Sequence, residues 1–267
     1  MLAKKPRTCV IIAYWIGERE HELHRLLRET RKVDAGAAFD LRIVCNGGSE
    51  RPLVLPSEFD RDNIHILNRE NVGYNIKAWD EGWKFDACHE FYLFLQTECV
   101  IKKPGWVEAF EFRMLNDAGV GLLGERVVWD RLTWAFIRAS TDRDLGSTAW
   151  PATEPLHPID TYKALMATAD IPIGDVGTHV PTIIHFVPRA VLKEIGGYPF
   201  FGPSYREAVG AEVAFSRLIE AQGYRVCQIR DGAFAYIGHK QWAAKRWHET
   251  LFRNVKKTVK RLRPHRG

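Results

Sequence analysis

Three segments of this 267-residue sequence combine residue types and spacing with evident chemical use. In Phe94-Leu95-Gln96-Thr97-Glu98-Cys99-Val100 an apolar run passes straight into Glu98. A carboxylate at the end of a buried strand suits Mg²⁺ or Mn²⁺, which prefer hard oxygen donors and share them with substrate phosphates; the plainer alternative is a solvated strand end or a helix cap. In Asn71-Val72-Gly73-Tyr74-Asn75-Ile76-Lys77-Ala78-Trp79-Asp80-Glu81-Gly82 a turn with glycine leads into a helix. Glycine lets the backbone approach a phosphate, and a helix start offers unpaired N–H groups and a positive dipole end, although taken singly such a segment is more often an ordinary strand-to-helix turn. The third segment runs from Gly196-Gly197-Tyr198-Pro199 through Tyr205-Arg206-Glu207 and Gly210-Ala211-Glu212-Val213 to Gln222-Gly223-Tyr224-Arg225-Val226. It predicts an apolar-faced helix with Glu212 in its first turns, directed back toward a site made of loops, and Glu207 as its competitor.

The elements that must position these groups follow from hydrophobic periodicity and turn residues. Strands are predicted at Thr8–Ile16, Leu41–Cys45, Ile64–Leu67, Glu90–Leu95, Val120–Val128, Thr182–Val187 and Arg225–Ile229. Helices are predicted at Glu18–Arg31, where Leu23, Leu26 and Leu27 share a face, at Asn75–Cys88, at Pro104–Leu115, at Arg189–Ile195 and at Ala208–Gln222, the last stopped by Gly223. The stretch 129–181, rich in Trp, Thr, Asp and Pro, predicts loops and short helices. Alternating strands and helices give an α/β fold with a mostly parallel central sheet flanked by helices, and such sheets take ligands beyond the carboxyl ends of their strands.

Length and composition are consistent with this. A chain with 46% hydrophobic and 27% charged residues buries a full core and is neither disordered nor fibrous. No apolar run approaches the roughly 20 residues of a membrane-spanning helix, and neither a span nor a signal peptide is expected. Cys9, Cys45, Cys88, Cys99 and Cys227 form no CxxC pair, which reads as reduced core thiols of a cytoplasmic protein. Charge divides the chain. Residues 240–267 hold ten Lys or Arg against Glu249, which is +9, so with +5 overall the first 239 residues carry −4. Leu251, Val255, Val259 and Leu262 recur along that tail at helical spacing, predicting a C-terminal amphipathic basic helix. It either lies on an anionic membrane surface or packs on the body with a solvated basic face; nucleic acid is disfavoured, because the body is acidic and carries no known nucleic-acid module.

The ordered set of motifs resembles the nucleotide-sugar glycosyltransferases of the GT-A fold, the family 2 group in particular. The resemblance rests on the first strand VIIAYW, the second strand ending in NGGS, the NVGYNIKAWDEG stretch, the strand ending in an acid, and GGYP followed by GAEVAFSRLIEAQGYRV, and it covers about Thr8–His239. It implies one domain over 1–239, with a nucleotide-binding half at about 8–128 and an acceptor-binding half at about 129–239, followed by the tail at 240–267. The implied partners are a nucleoside-diphosphate sugar donor and a saccharide or lipid-linked acceptor. Tyr14, Trp15 and Glu18 are implied near the base, Asn46 at the nucleoside, and Gly73, Lys77 and Asp80 along the ribose and diphosphate. Gln96 and Glu98 occupy the two ends of the family's metal-binding Asp-x-Asp; Glu212 matches its catalytic base; His239 resembles a late histidine that completes the metal site in some members.

This sequence departs from the family at three points. Gln96-Thr97-Glu98 replaces paired aspartates, Asn46 replaces an acid, and Val213 stands where a second acid is frequent. Mn²⁺ or Mg²⁺ at Glu98 and His239 is one implied arrangement; neutralisation of the leaving group by Lys77 and a helix start without metal is the other. The implied reaction is a single inverting displacement at the anomeric carbon, with Glu212 taking the acceptor's proton. Trp129, Trp134 and Trp150 are candidates for an acceptor platform, since aromatic faces stack on sugars and apolar carriers, although core packing is the commoner fate of tryptophan. Asp175 and His179 are placed near the same cleft by position alone; His157 and His185 read as structural. Two rivals stand beside the transferase. One is a nucleotidyltransferase, disfavoured because no glycine-rich segment with Arg and Lys follows the first strand; the other is a nucleotide-sugar-binding protein that kept the fold and lost catalysis.

Overall fold

Runs of β-branched and aromatic residues alternate with amphipathic charged segments, and the chain folds accordingly. The computed structural model describes residues 6–60, 64–145 and 156–242. In chain order its elements are β1 (Thr8–Trp15), α1 (Glu20–Lys32), β2 (Phe39–Asn46), β3 (His65–Arg69), α2 (Tyr74–Phe85), β4 (Phe91–Gln96), β5 (Cys99–Ile101), α3 (Glu108–Leu115), β6 (Val120–Gly124), α4 (Trp134–Leu145), α5 (Pro158–Thr168), β7 (Ile184–Pro188), α6 (Arg189–Glu194), α7 (Tyr205–Ala221), β8 (Arg225–Gln228) and β9 (Ile237–His239).

Seven strands form one sheet in the order β3-β2-β1-β4-β7-β6-β8, and β5 pairs with β9 in a separate ribbon. Strands β1 to β4 are mutually parallel, β7 runs antiparallel to both β4 and β6, and β6 and β8 are parallel. Both sheet faces are covered, which is why β1 is apolar from Cys9 onward. Val10, Ile12 and Tyr14 join a cluster with Leu23, Leu26 and Leu27 of α1 and Phe110 of α3. Cys9, Ile11 and Ala13 face the other way, into a cluster with Trp79 of α2 and Phe215 of α7. A third cluster packs Trp134 and Ile137 of α4, Ile159 and Tyr162 of α5, and Val213 of α7 together.

The register creates the site. Trp15 stands opposite Asn46 and Ala13 opposite Gln96, so the carboxyl ends of β1, β2 and β4 share one edge. Because β7 is antiparallel, with Ile184 opposite Leu95, its amino end meets that same edge and brings Thr182 beside Gln96.

Several expectations are corrected. Helix α7 starts at Tyr205, where Ser204 and Glu207 form a capping box. Glu212 therefore sits mid-helix, and Glu207 serves as a cap. Helix α3 begins at Glu108, four residues beyond Pro104. Strands β5 and β9 went unpredicted because three residues are too few for a visible alternation. Cys9, Cys45 and Cys99 are buried, but Cys88 is exposed in the turn after α2. Trp150 and the tail from 243 onward lie outside the described residues; of the tail's start, Lys240 Nζ bonds Glu22 at 2.6 Å and Trp242 packs on the core. Among the described residues no helix is long and apolar enough to cross a membrane.

Candidate active site

A hollow of about 320 Å³ opens at the carboxyl edge of the parallel strands. Ala13, Tyr14, Trp15 and Glu18 line it from β1 and its loop, Asn46 from β2, Asn71, Tyr74 and Asn75 from the start of α2, and Gln96, Thr97 and Glu98 from β4 and its turn. Trp15, which lines the hollow, is half-exposed (50%). Gly73 adopts φ 77° as the N-cap of α2, and Tyr74 is left-handed too, at φ 53°. A non-glycine residue in that region is held by its surroundings; Asn46 Nδ2 donates to the Tyr74 carbonyl at 3.0 Å.

The acidic wall is built from three elements. Arg25 of α1 donates to the carbonyls of Thr97 (2.9 Å) and Cys99 (2.8 Å), fixing the turn that carries Glu98. Thr97 Oγ1 lies 2.7 Å from both carboxylate oxygens of Glu18 and 3.4 Å from Glu98 Oε2. Burial pushes the Glu18 carboxyl above its ordinary range, the Thr97 hydroxyl opposes this, and the neighbouring Glu98 and Glu22 charges add to it. Glu18 and Glu98 thus both lie beside the Thr97 hydroxyl.

His239 reaches this wall through β9. Glu125, at the end of β6 and only 1% exposed, accepts the backbone N–H groups of Tyr236 (2.8 Å) and Ile237 (2.7 Å) and that of Ala235, holding the strand in place. His239 Nε2 lies 3.1 Å from Gln96 Oε1 and 4.0 Å from Glu98 Oε2. Burial drives the imidazole down to about 4, so it is neutral at physiological pH. Gln96 spends its amide N–H on the Thr182 carbonyl at 2.7 Å, which leaves Oε1 as the atom facing His239. The ring proton is then on Nε2, while Nδ1 is buried without a partner among the described residues. His239 is therefore a donor to Gln96 rather than a ready ligand. The hard donors that fit a Mn²⁺- or Mg²⁺-like cation are the carboxylates of Glu98 and Glu18. A different cluster whose atoms could hold a metal ion, Asp86, Cys88 and His89, lies at the opposite edge of the sheet, where His89 Nε2 bonds Asp40 at 2.7 Å.

Glu212 lies outside the lining of the hollow and is linked to it through Thr182, whose carbonyl accepts from Gln96. The N–H and Oγ1 of Thr182 donate to its Oε2 at 2.6 and 2.7 Å, and His179 Nε2 lies 3.3 Å from its Oε1. One turn on, Ser216 accepts the N–H of Val180 at 3.2 Å, so α7 clamps the segment before β7 by two side chains. Burial pushes the Glu212 carboxyl up, but His179 and Thr182 outweigh it and the net position is below the ordinary range. It is an anion at neutral pH. A carboxylate has about four acceptor sites; three are engaged, and one remains for an incoming proton.

Other predicted residues lie elsewhere or are already engaged. Asp80 does not border the hollow: it is 4% exposed and bonded to Trp83 Nε1 (3.2 Å), Lys84 (2.8 Å) and the Tyr198 N–H (3.0 Å). Lys77, on the next turn of α2, pairs with Glu81 at 3.8 Å and sits over Phe200. Asn46 borders the hollow, yet its amide is spent on Tyr74 and on Arg69, leaving it a structural part. Trp134 is core, 7% exposed, with Nε1 on the Gly174 carbonyl at 3.0 Å. Trp129 is half-buried and meets the His179 ring edge-to-face at 4.8 Å. Asp175 is exposed; His157 caps α5; His185 is buried between Tyr198 and the Val180 carbonyl. Asn71, Tyr74, Asn75 and Thr182 were missed as site residues. The first three lie in the very turn singled out in sequence, and Thr182 opens the predicted β7.

No protein-family model and no curated protein sequence matches this chain. Solved structures do match its fold. A mannosyltransferase from Pyrobaculum calidifontis, in complex with GDP-Man and Mn²⁺, superposes with a TM-score of 0.51 at 14% identity, covering 91% of this chain and 61% of that one. S. aureus TarS in complex with UDP gives 0.50 at 15% identity, covering 86% of this chain and 59% of that one. The chain thus has a GT-A-type α/β fold, and it spans about three fifths of the length of these two structures.

Proposed function

We propose that the chain is a glycosyltransferase that moves a sugar from a nucleoside diphosphate to an acceptor hydroxyl with inversion. The observation that supports this reading is a hydrogen-bond chain that ties Glu212 to the strand ending in Glu98 at the hollow. Gln96, two residues before Glu98, donates to the carbonyl of Thr182, whose own N–H and hydroxyl donate to Glu212. In this reading the half-exposed face of Trp15 stacks on the base, as aromatic faces do, and the start of α2 at Tyr74 and Asn75 lies along the diphosphate. Glu212 takes the proton of the attacking hydroxyl at the acceptor site left on its carboxylate.

Glu98 and Glu18 would hold a divalent cation. Such an ion, when bound, neutralises charge developing on the departing diphosphate. Trp129, edge-to-face against His179, would border the acceptor side, which suits a saccharide or lipid-linked acceptor, and the basic tail suits a peripheral place at an anionic membrane surface.

A second reading is favoured by one observation: Glu212 shares with Ser216 the work of clamping the segment before β7. A nucleotide-sugar-binding protein without transfer activity would use Glu212 as a staple only. Hydrolysis measured across nucleoside-diphosphate sugars, with and without Mn²⁺, separates the two. Slow donor hydrolysis supports the transferase; donor binding with no hydrolysis supports the binder.

A further inference from the structure

At the amino edge of the parallel strands, away from the hollow, three side chains of different donor type meet in the turn between α2 and β4. The ligating atoms of Asp86, Cys88 and His89 all lie within 4.8 Å of one another. Cys88 Sγ is 3.5 Å from His89 Nδ1. Sulfur and nitrogen held by one tetrahedral Zn²⁺, at about 2.3 and about 2.0 Å from it, stand about 3.5 Å apart. That pair is therefore already at ligating separation. The Asp86 side chain is 45% exposed, so it has room to turn and close the remaining gap.

The imidazole is oriented from its far side. His89 is 2% exposed, and its Nε2 lies 2.7 Å from Asp40 Oδ2 on β2. An ionised carboxylate only accepts, so the ring N–H is on Nε2 and the lone pair of Nδ1 faces Cys88. Zinc-ligating histidines almost always give their other ring N–H to a carboxylate, carbonyl or water in this way. The turn is fixed as well. The Tyr92 hydroxyl donates to the Asp86 carbonyl at 3.1 Å, Arg189 Nη1 to the Ala87 carbonyl at 3.1 Å, and the Cys88 N–H to the Asp86 carbonyl at 2.9 Å. Ligands on a backbone set in advance lose little freedom when an ion arrives. A cysteine beside a carboxylate-bound histidine also describes an activated thiol. Asp86 decides against it, because a second negative charge near the sulfur opposes a bare thiolate and suits a cation shared between them. Arg42 competes for Asp86 only from 3.9 Å, beyond hydrogen-bond range, while its Nη1 is spent on the Gly82 carbonyl.

We propose that Asp86, Cys88 and His89 form a Zn²⁺ site, with Asp40 behind His89 as the orienting carboxylate and water in the fourth position. Sulfur and imidazole select a borderline-soft ion over Mg²⁺. Cys88 binds as the thiolate, its proton passing to solvent. The bound ion ties the turn after α2 to β2 through His89 and Asp40.

The test uses the full chain, reduced and freed of metal with a chelator, and needs no substrate. Co²⁺ in place of Zn²⁺ should produce thiolate-to-cobalt charge-transfer absorption at one ion per chain, and added Zn²⁺ should remove it. Cys88→Ser should abolish the absorption, and Cys227→Ser should leave it. Asp40→Asn should weaken Zn²⁺ binding about tenfold or more at unchanged stoichiometry. Absence of the absorption in the wild-type chain overturns the proposal; so does absorption that survives Cys88→Ser, or a Zn²⁺ affinity that Asp40→Asn leaves in place. The first reading is taken on the unaltered protein, so a variant that fails to fold does not remove the test. Glu18 and Glu98 carry no sulfur and give no such absorption, so failure here leaves the reading of the hollow standing.

Discussion

Thr182 gives two hydrogen bonds to a single oxygen of Glu212, one from its N–H at 2.6 Å and one from its hydroxyl at 2.7 Å. Its carbonyl meanwhile accepts from Gln96 at 2.7 Å. One residue at the amino end of β7 therefore couples the carboxylate of α7 to the strand that ends in Glu98. The coupling exists because β7 is the strand running opposite to its neighbours.

Replacing Glu212 with Gln keeps the side chain's size and removes its basicity. General-base help is typically worth about 100-fold or more, so transfer should fall by at least that factor while nucleoside-diphosphate affinity, measured calorimetrically, stays within about twofold. Near-normal turnover in E212Q removes Glu212 as the base.

Thr182→Val deletes the hydroxyl donor and leaves the N–H. A hydrogen bond to a charged group contributes about 1.5–3 kcal/mol, so denaturant unfolding should show a loss of roughly that size. Transfer should fall about tenfold with nucleotide affinity unchanged. Unaltered stability would mean that the hydroxyl does not hold Glu212.

The acidic wall gives a metal prediction. In the presence of a nucleoside diphosphate, Mn²⁺ should raise the wild-type melting temperature, and both Glu98→Gln and Glu18→Gln should abolish the increment, since an ion that binds only the folded state stabilises it by mass action. Retention of the increment in E18Q would leave Glu98 without a second carboxylate.

Trp15→Ala should weaken nucleoside-diphosphate binding about tenfold, because stacking of a base on an aromatic face contributes roughly 1–3 kcal/mol. Trp129→Ala should leave that affinity unchanged and alter acceptor use alone. A loss of nucleotide affinity in W129A would place the base elsewhere.

His185 supplies a pH prediction. Burial lowers its imidazole from 6.5 to about 4. Between those values the unfolded chain binds the proton and the folded chain does not. Stability is therefore fully present above 6.5 and declines as pH falls toward 4, by on the order of 3 kcal/mol at the acid end. In His185→Gln, unfolding free energy should vary less steeply over that window; an unchanged slope would show that His185 is not the group responsible.

Much of this arrangement was legible in the sequence because it is local. Apolar runs closed by turn residues gave the strands, the carboxyl-edge rule pointed to the loops after them and to Glu98, and the family resemblance implied Tyr14, Trp15, Glu18, Asn46 and Gln96 around the same space. What escaped was decided by contacts between remote segments. Asp80 looked like a donor contact in its motif, but its carboxylate is taken by the Tyr198 backbone, 118 residues away. The role of Glu125 depends on a strand of three residues with no periodic signal. Trp134 and Trp129 are alike as letters, and only the packing of α4 on α5 and α7 makes one core and leaves the other beside His179. The partnership of His179 with Glu212 joins a loop to a helix 33 positions on and has no local signature.

The most direct test of the central claim is a crystal structure of the protein soaked with Mn²⁺ and either UDP or GDP. The account predicts density for the diphosphate in the hollow, its phosphates between the start of α2 and Glu98, with Glu212 facing the open side where the sugar would lie. A nucleotide bound away from that edge, or one whose phosphates sit with Glu212 on the far side of the sheet, would contradict it.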